Sequence, residues 1–336
     1  MEPCRYGILG AGRIAARFSA CFEKGLVPGA RLCAVASSDP QRAARFAAEH
    51  GIARSYGSHD ALLADPEIEI VYIATINSMH YDCCARAIRA GKHVLCEKPL
   101  VLTAAEARSL AQLAAEHHVF LMEAMWTRFL PAVQTARRWL EEGRIGRLRC
   151  ISASLCASRD PAEYPRLFDP ALGGGAFYDL GVYAFSCAQF FAGGRKLTGM
   201  VPLCVPSGTG VDGSTFLTLS YEDGLTAQLK CSIQFAADNS LLLCGEQGMI
   251  RLAPWFNWAQ RAELYRIPLP GPQGWQGAQP EEVFLHETSC GFEFEAEHAA
   301  ACVRAGLTES DVMPLADSIA CAELFDQLEP LLHREN

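Results

Sequence analysis

The chain has 336 residues, of which 50% are hydrophobic and 20% charged, a balance that allows two domains with buried cores. Its formal net charge of −9 argues against a general surface for nucleic acid or anionic membranes. Fifteen cysteines without a Cys-x-x-Cys pair, and the lack of a signal peptide or long apolar run, favour a cytoplasmic protein with buried thiols, no metal site and no membrane span.

Short apolar runs alternate with helical patterns over the first 120 residues. Short strands without internal alternation, separated by helices, are typical of a parallel sheet covered on both faces. We therefore predict a parallel-sheet domain over residues 1–122. In chain order, the predicted strands are Tyr6–Leu9, Leu32–Ala36, Ile70–Ala74, Val94–Cys96 and Val119–Met122, and the predicted helices cover about 12–24, 40–49, 79–90 and a segment that begins at Thr103.

The pattern changes after about residue 147. From Leu225 to Ile233 every second residue is apolar, which predicts a strand with one buried face. Turn signals mark two hairpins, one at Asp223-Gly224 after a strand over 214–221 and one at Gly245–Gly248 between Leu241–Cys244 and Met249–Leu252. A stretch rich in Pro, Gly and Gln at 268–280 is typical of a loop. The second domain, over residues 123–336, is thus predicted to contain an antiparallel sheet with one packed face.

A glycine-rich turn follows the first predicted strand and opens the first predicted helix. Gly10, Gly12 and Ala15 form Gly-x-Gly-x-x-Ala, in which the first glycine makes the turn and the second lets the backbone approach a pyrophosphate. The N–H groups at the helix start attract the phosphates. We expect a dinucleotide to bind against Gly10, Gly12, Arg13 and Ile14; the alternative is a glycine-rich turn without a ligand.

The end of the second predicted strand bears on the choice between NAD and NADP. NAD enzymes usually carry Asp or Glu there to bind the ribose hydroxyls, whereas this chain has Ser37. A serine does not repel a 2′-phosphate, and Arg42 in the next helix can supply a positive charge. Asp39 is an alternative ribose ligand, but its place before Pro40 is typical of a helix N-cap. The pattern favours NADP.

Two further motifs complete a resemblance to a known family. Cys96-Glu97-Lys98-Pro99 follows a strand, and a glycine run at Gly173–Gly175 leads through Asp179 to Tyr183. With the glycine fingerprint, these motifs resemble the Gfo/Idh/MocA oxidoreductases, the glucose–fructose oxidoreductase and inositol dehydrogenase family, over nearly the whole chain. The dimeric dihydrodiol dehydrogenase branch is similar in three runs, at 94–99, 120–131 and 209–214.

The resemblance implies a Rossmann domain followed by an α/β domain with a large open, mainly antiparallel sheet that forms a homodimer interface. It implies an NADP-dependent oxidoreductase that transfers hydride between the nicotinamide and a hydroxyl-bearing carbon of a trans-dihydrodiol or of an aldose such as D-xylose. Most of the family has Asp-x-x-x-His where this chain has Asp179-x-x-x-Tyr183, which argues against inositol dehydrogenase chemistry with a histidine base. Two alternatives stay open: a related inositol, polyol or keto-sugar oxidoreductase, and a non-catalytic NADP-binding sensor.

The resemblance also implies roles for single residues. Oxidation of an alcohol requires a group that removes the hydroxyl proton while hydride leaves the carbon. Tyr183 is the implied acid/base, with Lys98 assisting it or acting as the base, and Asp179 orients the substrate hydroxyls. The expected cofactor contacts are Thr75, Asn77, His80, Glu97 and Lys98, and the expected substrate contacts include Arg166 and Trp126, with Trp126 and Arg128 lining the nicotinamide pocket.

Overall fold

The structure is a computed structural model, and it describes residues 2–267 and 279–332. Contacts within the chain define two compact units: Met1–Trp126 with Ser289–Asp326, and Thr127–Thr288 with Gln327–Asn336. The predicted division after residue 122 is close to the first boundary between these units, and a segment near the C-terminus belongs with the N-terminal residues. The loop predicted at 268–280 falls almost wholly outside the described residues.

The first unit contains a sheet of six parallel strands. These are β1 (Cys4–Leu9), β2 (Ala30–Ala36), β3 (Arg54–Tyr56), β4 (Ile70–Ile73), β5 (His93–Glu97) and β6 (Leu121–Ala124), in the order β3-β2-β1-β4-β5-β6. The helices that connect them are α1 (Arg13–Glu23), α2 (Pro40–Glu49), α3 (His59–Leu63), α4 (His80–Arg89) and α5 (Ala104–His117). The strand order is that of a Rossmann fold, as the sequence predicts.

Two helices of this unit begin where the sequence places their caps. The Asp39 carboxylate accepts hydrogen bonds from the backbone N–H groups of Gln41 and Arg42, at 2.9 and 3.2 Å. The Thr103 hydroxyl accepts one from the backbone N–H of Glu106 at 3.3 Å. Each side chain satisfies N–H groups that a helix start leaves without intrahelical partners. The N-cap predicted at Asp39 is therefore confirmed, and Thr103 caps the helix that was predicted to begin there.

The second unit contains an eight-stranded, mainly antiparallel sheet. Its strands are β7 (Leu148–Cys156), β8 (Leu197–Pro206), β9 (Asp212–Tyr221), β10 (Thr226–Ser232), β11 (Leu241–Gly245), β12 (Gly248–Leu252), β13 (Arg261–Arg266) and β14 (Glu282–Leu285). The order is β14-β13-β12-β11-β7-β10-β9-β8, and β7 pairs with β10 in parallel. Both predicted hairpins are present, as β9–β10 and β11–β12. The other helices of the chain are α6 (Pro131–Glu141), α7 (Val182–Ala192), α8 (Glu293–Arg304) and α9 (Leu315–Leu332).

The two faces of this sheet differ in burial. Ala227, Leu229 and Cys231 of β10 are buried on the face that packs against α7 and the helical turn before it. On the opposite face of the edge strand β8, Val201, Leu203 and Val205 are 70%, 61% and 40% exposed. The predicted one-sided sheet is therefore present. In the described part of the chain, no helix combines the length and apolar character needed to cross a membrane.

Candidate active site

The glycine turn between β1 and α1 has the geometry of a phosphate-binding turn. Gly10 has a φ of +100°, and a Cβ there would lie 2.7 Å from the carbonyl oxygen of Ala74, so only glycine is tolerated. Gly12 provides the N-cap of α1 without a side-chain hydrogen bond, and a Cβ there would meet nothing within 4 Å. The backbone at the start of α1 is thus open at Gly12, as a pyrophosphate bound there would require. Binding of a pyrophosphate against Gly10, Gly12, Arg13 and Ile14 stays a prediction.

Opposite charges meet at the end of β2. Ser37 is buried, and its hydroxyl oxygen accepts a hydrogen bond from the Asp39 backbone N–H at 3.2 Å. The backbone N–H of Arg42, which donates to Asp39, holds the pKa of that carboxyl below its ordinary value. The Arg42 side chain is 59% exposed, and its Nε lies 4.0 Å from the Asp39 carboxylate. The Arg42 side chain is therefore accessible at the end of β2, with the Asp39 carboxylate beside it, and its contact with a 2′-phosphate stays a prediction.

His80 joins the loop after β4 to the Glu-Lys-Pro segment. Its imidazole is fully buried, with Nδ1 2.8 Å from the carbonyl oxygen of Pro99 and Nε2 3.3 Å from that of Thr75. Asn77 is also buried in this loop, and the Lys98–Pro99 peptide is cis. Four of the predicted cofactor residues thus lie on two adjacent segments: Thr75, Asn77, His80 and Lys98. The contacts of the His80 ring with main-chain carbonyl oxygens join these two segments.

Glu97 is a buried carboxylate next to Lys98. It accepts a hydrogen bond from the Tyr72 hydroxyl, whose ring stacks on Phe18 at 3.7 Å. Burial raises the pKa of Glu97, and the Tyr72 hydrogen bond and the positive charges of Lys98 and Arg17 oppose that rise. Glu97 is therefore held beside the lysine that the sequence singles out.

Glu295 on α8 is a second buried carboxyl that the sequence does not single out. It is fully buried, and neither of its oxygens has a hydrogen-bond partner among the described residues. Burial, followed by the charges of Glu97 and Glu293, raises its pKa well above the ordinary value. Nothing in the local sequence separates Glu295 from the other acidic residues of α8, because its burial depends on packing against distant parts of the chain.

Trp126 lies in an aromatic cluster of the first unit. Its indole ring is buried and stacks on Phe292 with 4.8 Å between ring centroids. The Arg17 guanidinium lies 5.5 Å from the Trp126 ring and 5.0 Å from the Phe292 ring. The sequence did not indicate Arg17 or Phe292, and the predicted contact of Trp126 with the substrate stays a prediction.

The predicted substrate residues of the second unit are carried by an unusual helical turn. Phe177–Gly181 forms a π-helical turn that contains Asp179 and continues directly into α7, which begins at Val182 and contains the buried Tyr183. Turns of this kind are rare and occur frequently at functional sites. The spacing of the two residues predicts an ordinary helix, so the wider turn could not be anticipated from it.

Arg166 and Asp179 are brought together. Nη2 of Arg166 lies 3.3 Å from Oδ1 of Asp179, and both side chains remain partly exposed. The glycine run makes this approach possible, since a Cβ at Gly174 would lie 2.7 Å from the carbonyl oxygens of Arg166 and Leu167. Arg128, in contrast, is fully buried and donates to the hydroxyl and carbonyl oxygens of Ser186, each at 2.8 Å.

The chain is similar to known proteins in both sequence and structure. Residues 4–125 match the profile described as the GFO_IDH_MocA oxidoreductase family, NAD-binding Rossmann fold, and residues 133–251 match the GFO/IDH/MocA C-terminal domain. The trans-1,2-dihydrobenzene-1,2-diol dehydrogenase of Sus scrofa is 34% identical over 330 residues, with 96% of this chain and 95% of that protein covered. The Homo sapiens enzyme is 33% identical over 328 residues, with the same coverage.

Two solved structures illustrate the range of the fold. KijD10, a 3-ketoreductase from Actinomadura kijaniata in complex with NADP and TDP-benzene, superposes with a TM-score of 0.82 at 27% identity over 98% of each chain. Levoglucosan dehydrogenase, in complex with NADH and levoglucosan, gives a TM-score of 0.85 at 19% identity over 98% of this chain and 97% of its own. The second likeness concerns the fold alone.

Proposed function

The chain belongs to the Gfo/Idh/MocA oxidoreductase family, and from that membership we propose that it is an NADP-dependent dehydrogenase of a trans-dihydrodiol or of an aldose such as D-xylose. As a member of the family, it is an NAD(P)-binding oxidoreductase that acts on CH–OH groups. The observation that carries the proposal is the contact of Arg166 with Asp179 on the turn that leads to Tyr183. A partly exposed carboxylate fixed by a guanidinium is suited to accept hydrogen bonds from neighbouring hydroxyls.

When bound, the nicotinamide would supply the acceptor for the hydride that leaves the oxidised carbon, and Gly10, Gly12, Arg13 and Ile14 would hold the pyrophosphate of the cofactor. Asp179 accepts a hydrogen bond from a substrate hydroxyl and so fixes which carbon reacts. Tyr183 takes the proton of the reacting hydroxyl, and Lys98 assists it or acts as the base itself. The buried Glu97 carboxylate, which accepts a hydrogen bond from Tyr72, attracts the positive charge of Lys98 and so keeps this lysine in place. In the reverse direction, the same groups return the proton to a carbonyl oxygen.

The proposed preference for NADP rests on Ser37 and Arg42. A buried serine in place of an acidic residue leaves the end of β2 without the group that usually binds the ribose hydroxyls of NAD. The exposed Arg42 supports a contact with a 2′-phosphate, although Asp39 lies beside it. Among the relatives, KijD10 was crystallised with NADP and levoglucosan dehydrogenase with NADH, so a direct measurement has to decide.

The test is a panel of substrates assayed with both cofactors. Purified protein is offered aldoses, inositols and trans-dihydrodiols with NADP or NAD, and keto-sugars with NADPH or NADH. We expect NADP reduction with a trans-dihydrodiol or an aldopyranose. Turnover of keto-sugars alone would favour the second candidate, a keto-sugar reductase, which the 27% identity to KijD10 over 98% of both chains supports. Turnover of inositols alone would overturn the proposed substrate class.

We further propose a homodimer in which the open face of the eight-stranded sheet is covered by the same face of a second copy. The exposed side chains of Val201, Leu203 and Val205 on β8 support this, since a row of large apolar side chains on a sheet edge favours association. The partner is a copy of the chain because most soluble oligomers are symmetric homo-oligomers. The other proposed partner is the small sugar or diol substrate.

For location we propose the cytoplasm. Twelve of the fifteen cysteines are buried, and burial raises the pKa of several thiols, that of Cys187 to about 12. A buried thiol with a raised pKa is a packing group, and such usage is typical of proteins from a reducing compartment.

A further inference from the structure

Asp212 connects the sheet of the second unit to the turn that carries the proposed substrate residues. It is the first residue of β9, and it is 1% exposed. Its Oδ2 accepts hydrogen bonds from the backbone N–H of Phe177 at 3.0 Å and from the Thr215 hydroxyl at 2.6 Å. Phe177 is the first residue of the π-helical turn that contains Asp179. A carboxylate 35 residues further along the chain thus caps this helical run.

The segment before the turn explains why the cap comes from so far away. A helix leaves its first four N–H groups without intrahelical partners, and a Ser, Thr, Asp or Asn just before the helix normally accepts from them. Here Gly173–Gly175 and Ala176 precede Phe177, and none of them has a polar side chain. Gly175 has a φ of +122°, and a Cβ there would lie 2.3 Å from Oδ1 of Asp212. The glycine therefore gives the carboxylate access to the helix start.

We propose that Asp212 is a positioning residue for the proposed reaction: its ionised carboxylate fixes the start of the helical run and so the placement of Asp179 and Tyr183, and protonation of that carboxylate loosens both. The inference rests on the proposed function of Asp179 and Tyr183 as substrate-binding and proton-transferring groups. An ionised carboxylate can accept hydrogen bonds from every N–H and O–H group that faces it. A protonated carboxyl carries an O–H donor, which competes with the N–H and O–H groups around it.

The carboxylate changes charge close to neutral pH. Burial raises the pKa of Asp212 to about 7, and the hydrogen bonds from Thr215, Phe177 and Ala176 oppose the rise. Ionisable groups lie on the three elements that pack against β9. They are Asp179 on the capped turn, Cys231 on β10, whose pKa is raised by burial and then by the charge of Asp212, and Cys204 on β8, whose Sγ lies 3.6 Å from Oγ1 of Thr215. Burial favours the neutral thiol of Cys231, so Asp212 is the fully buried group of this cluster that titrates near pH 7.

Two substitutions test the inference through the pH dependence of kcat/KM. Thr215→Val keeps the shape of the side chain and removes a donor to the carboxylate, so it should raise the pKa of Asp212 and move the acid limb of the profile to higher pH. Asp212→Asn should abolish that limb and lower kcat/KM by about fivefold at pH 8, the change expected for loss of a capping interaction of typical size. Thr218→Val, on the opposite face of the same strand, and Asp160→Asn, whose carboxylate accepts from the Ala162 backbone N–H in an exposed turn, are the matched controls.

A second readout does not depend on turnover. Hydrogen exchange of the backbone amides from Ala176 to Tyr183 should show protection at pH 8 that is lost in Asp212→Asn and reduced at pH 7 in Thr215→Val. If the wild type turns over no substrate of the panel, the proposed function fails while these exchange data still test the cap. If Asp212→Asn does not fold, Thr215→Val decides. An acid limb and a protection pattern that both stay unchanged in Thr215→Val would overturn the inference.

Discussion

Two neighbouring acidic residues of the first unit, Glu97 and Glu295, have raised pKa values for different reasons. Burial raises the pKa of Glu97, but the hydrogen bond from the Tyr72 hydroxyl and two nearby positive charges act to lower it. Glu295 is buried and has two negative neighbours, and its carboxyl oxygens have no hydrogen-bond partner among the described residues. Burial and the two negative neighbours thus favour the protonated form of Glu295, whereas Tyr72, Lys98 and Arg17 favour the ionised form of Glu97.

The first prediction concerns Glu295→Gln. The folded-state pKa of Glu295 lies above its unfolded value, so the folded state binds a proton that the unfolded chain releases as the pH rises above about 4.5. The residue thus makes the protein less stable as the pH rises from there towards the folded pKa. Glutamine cannot ionise, so Glu295→Gln should raise the free energy of unfolding at pH 8 above that of the wild type.

Urea denaturation of the wild type and Glu295→Gln at pH 8 and pH 5 measures this effect. The difference in free energy of unfolding should shrink at pH 5. The exposed Glu49 on α2 supplies the control, since Glu49→Gln should change stability little at either pH. A Glu295→Gln protein that is less stable than the wild type at pH 8 would show that the carboxyl is ionised and bound there.

The second prediction concerns cofactor choice at Ser37. Ser37→Asp should weaken NADP binding by at least about tenfold, because two like charges about 4 Å apart repel by several kcal/mol at an effective dielectric constant of about 20. Ser37→Asn is the matched control, which has a similar size and no charge. Dissociation constants for NADP and NAD from fluorescence titration test the idea. Equal or tighter binding of NAD by the unmodified protein would contradict the proposed preference.

The third prediction concerns the proton carrier. Tyr183→Phe should lower kcat by about 100- to 10,000-fold, the usual contribution of general acid–base catalysis, with NADP binding largely retained. Lys98→Met should lower kcat at least as much, and the double variant should lose much less than the product of the two effects if both residues serve one proton transfer. Tyr178→Phe, in the same helical run, is the control. Near-normal kcat and an unchanged pH profile in Tyr183→Phe would leave Lys98 as the base.

At the scale of elements, the sequence predicts those whose pattern is local. The strands of the parallel sheet are continuous apolar runs, and their helices carry caps such as Asp39 and Thr103 that act within three residues. β3 was not predicted, because Arg54–Tyr56 is short and has no apolar run. Its place is determined by parallel pairing with β2.

The features that the sequence could not predict depend on distant pairs of residues. The parallel pairing of β7 with β10, the burial of Glu295 and the cap that Asp212 supplies to Phe177 all join residues far apart in the chain. Periodicity and motif spacing describe neighbours in sequence and carry no information on such pairs. The individual site residues were found by resemblance, because a family motif records which distant residues act together.

The fourth prediction compares two reasons why a position requires glycine, a positive φ and the lack of space for a Cβ, at Gly208 and at Gly175. Gly208 has a φ of +91° and a Cβ there would meet nothing within 4 Å, whereas a Cβ at Gly175 would strike the Asp212 carboxylate. Gly208→Ala should therefore reduce stability by the backbone cost alone, about 1 kcal/mol. Gly175→Ala should reduce it further and also lower kcat/KM. Thermal unfolding and kinetics of both variants test this, and equal effects would show that the carboxylate can move aside.

At the scale of the whole molecule, the fifth prediction concerns assembly. If a second copy covers the open sheet, Leu203→Glu should place a charge in an apolar interface and shift the protein from dimer towards monomer. Leu307→Glu, at an exposed leucine of the first unit, is the control and should leave the dimer intact. Light scattering after size-exclusion chromatography, at micromolar protein, gives the mass. A monomeric wild type under these conditions would refute the proposal.

The two-part composition of the first unit has a consequence for how the protein is made. Tyr6 of β1 donates a hydrogen bond to the carbonyl oxygen of Ala296 at 2.8 Å, and Glu123 near the end of the sheet accepts one from the Ser318 hydroxyl at 2.6 Å. During translation, the parallel sheet leaves the ribosome long before these partners do. Part of the core of the nascent Rossmann domain therefore stays uncovered until nearly the whole chain has been synthesised. We expect chaperones to bind the chain during that interval.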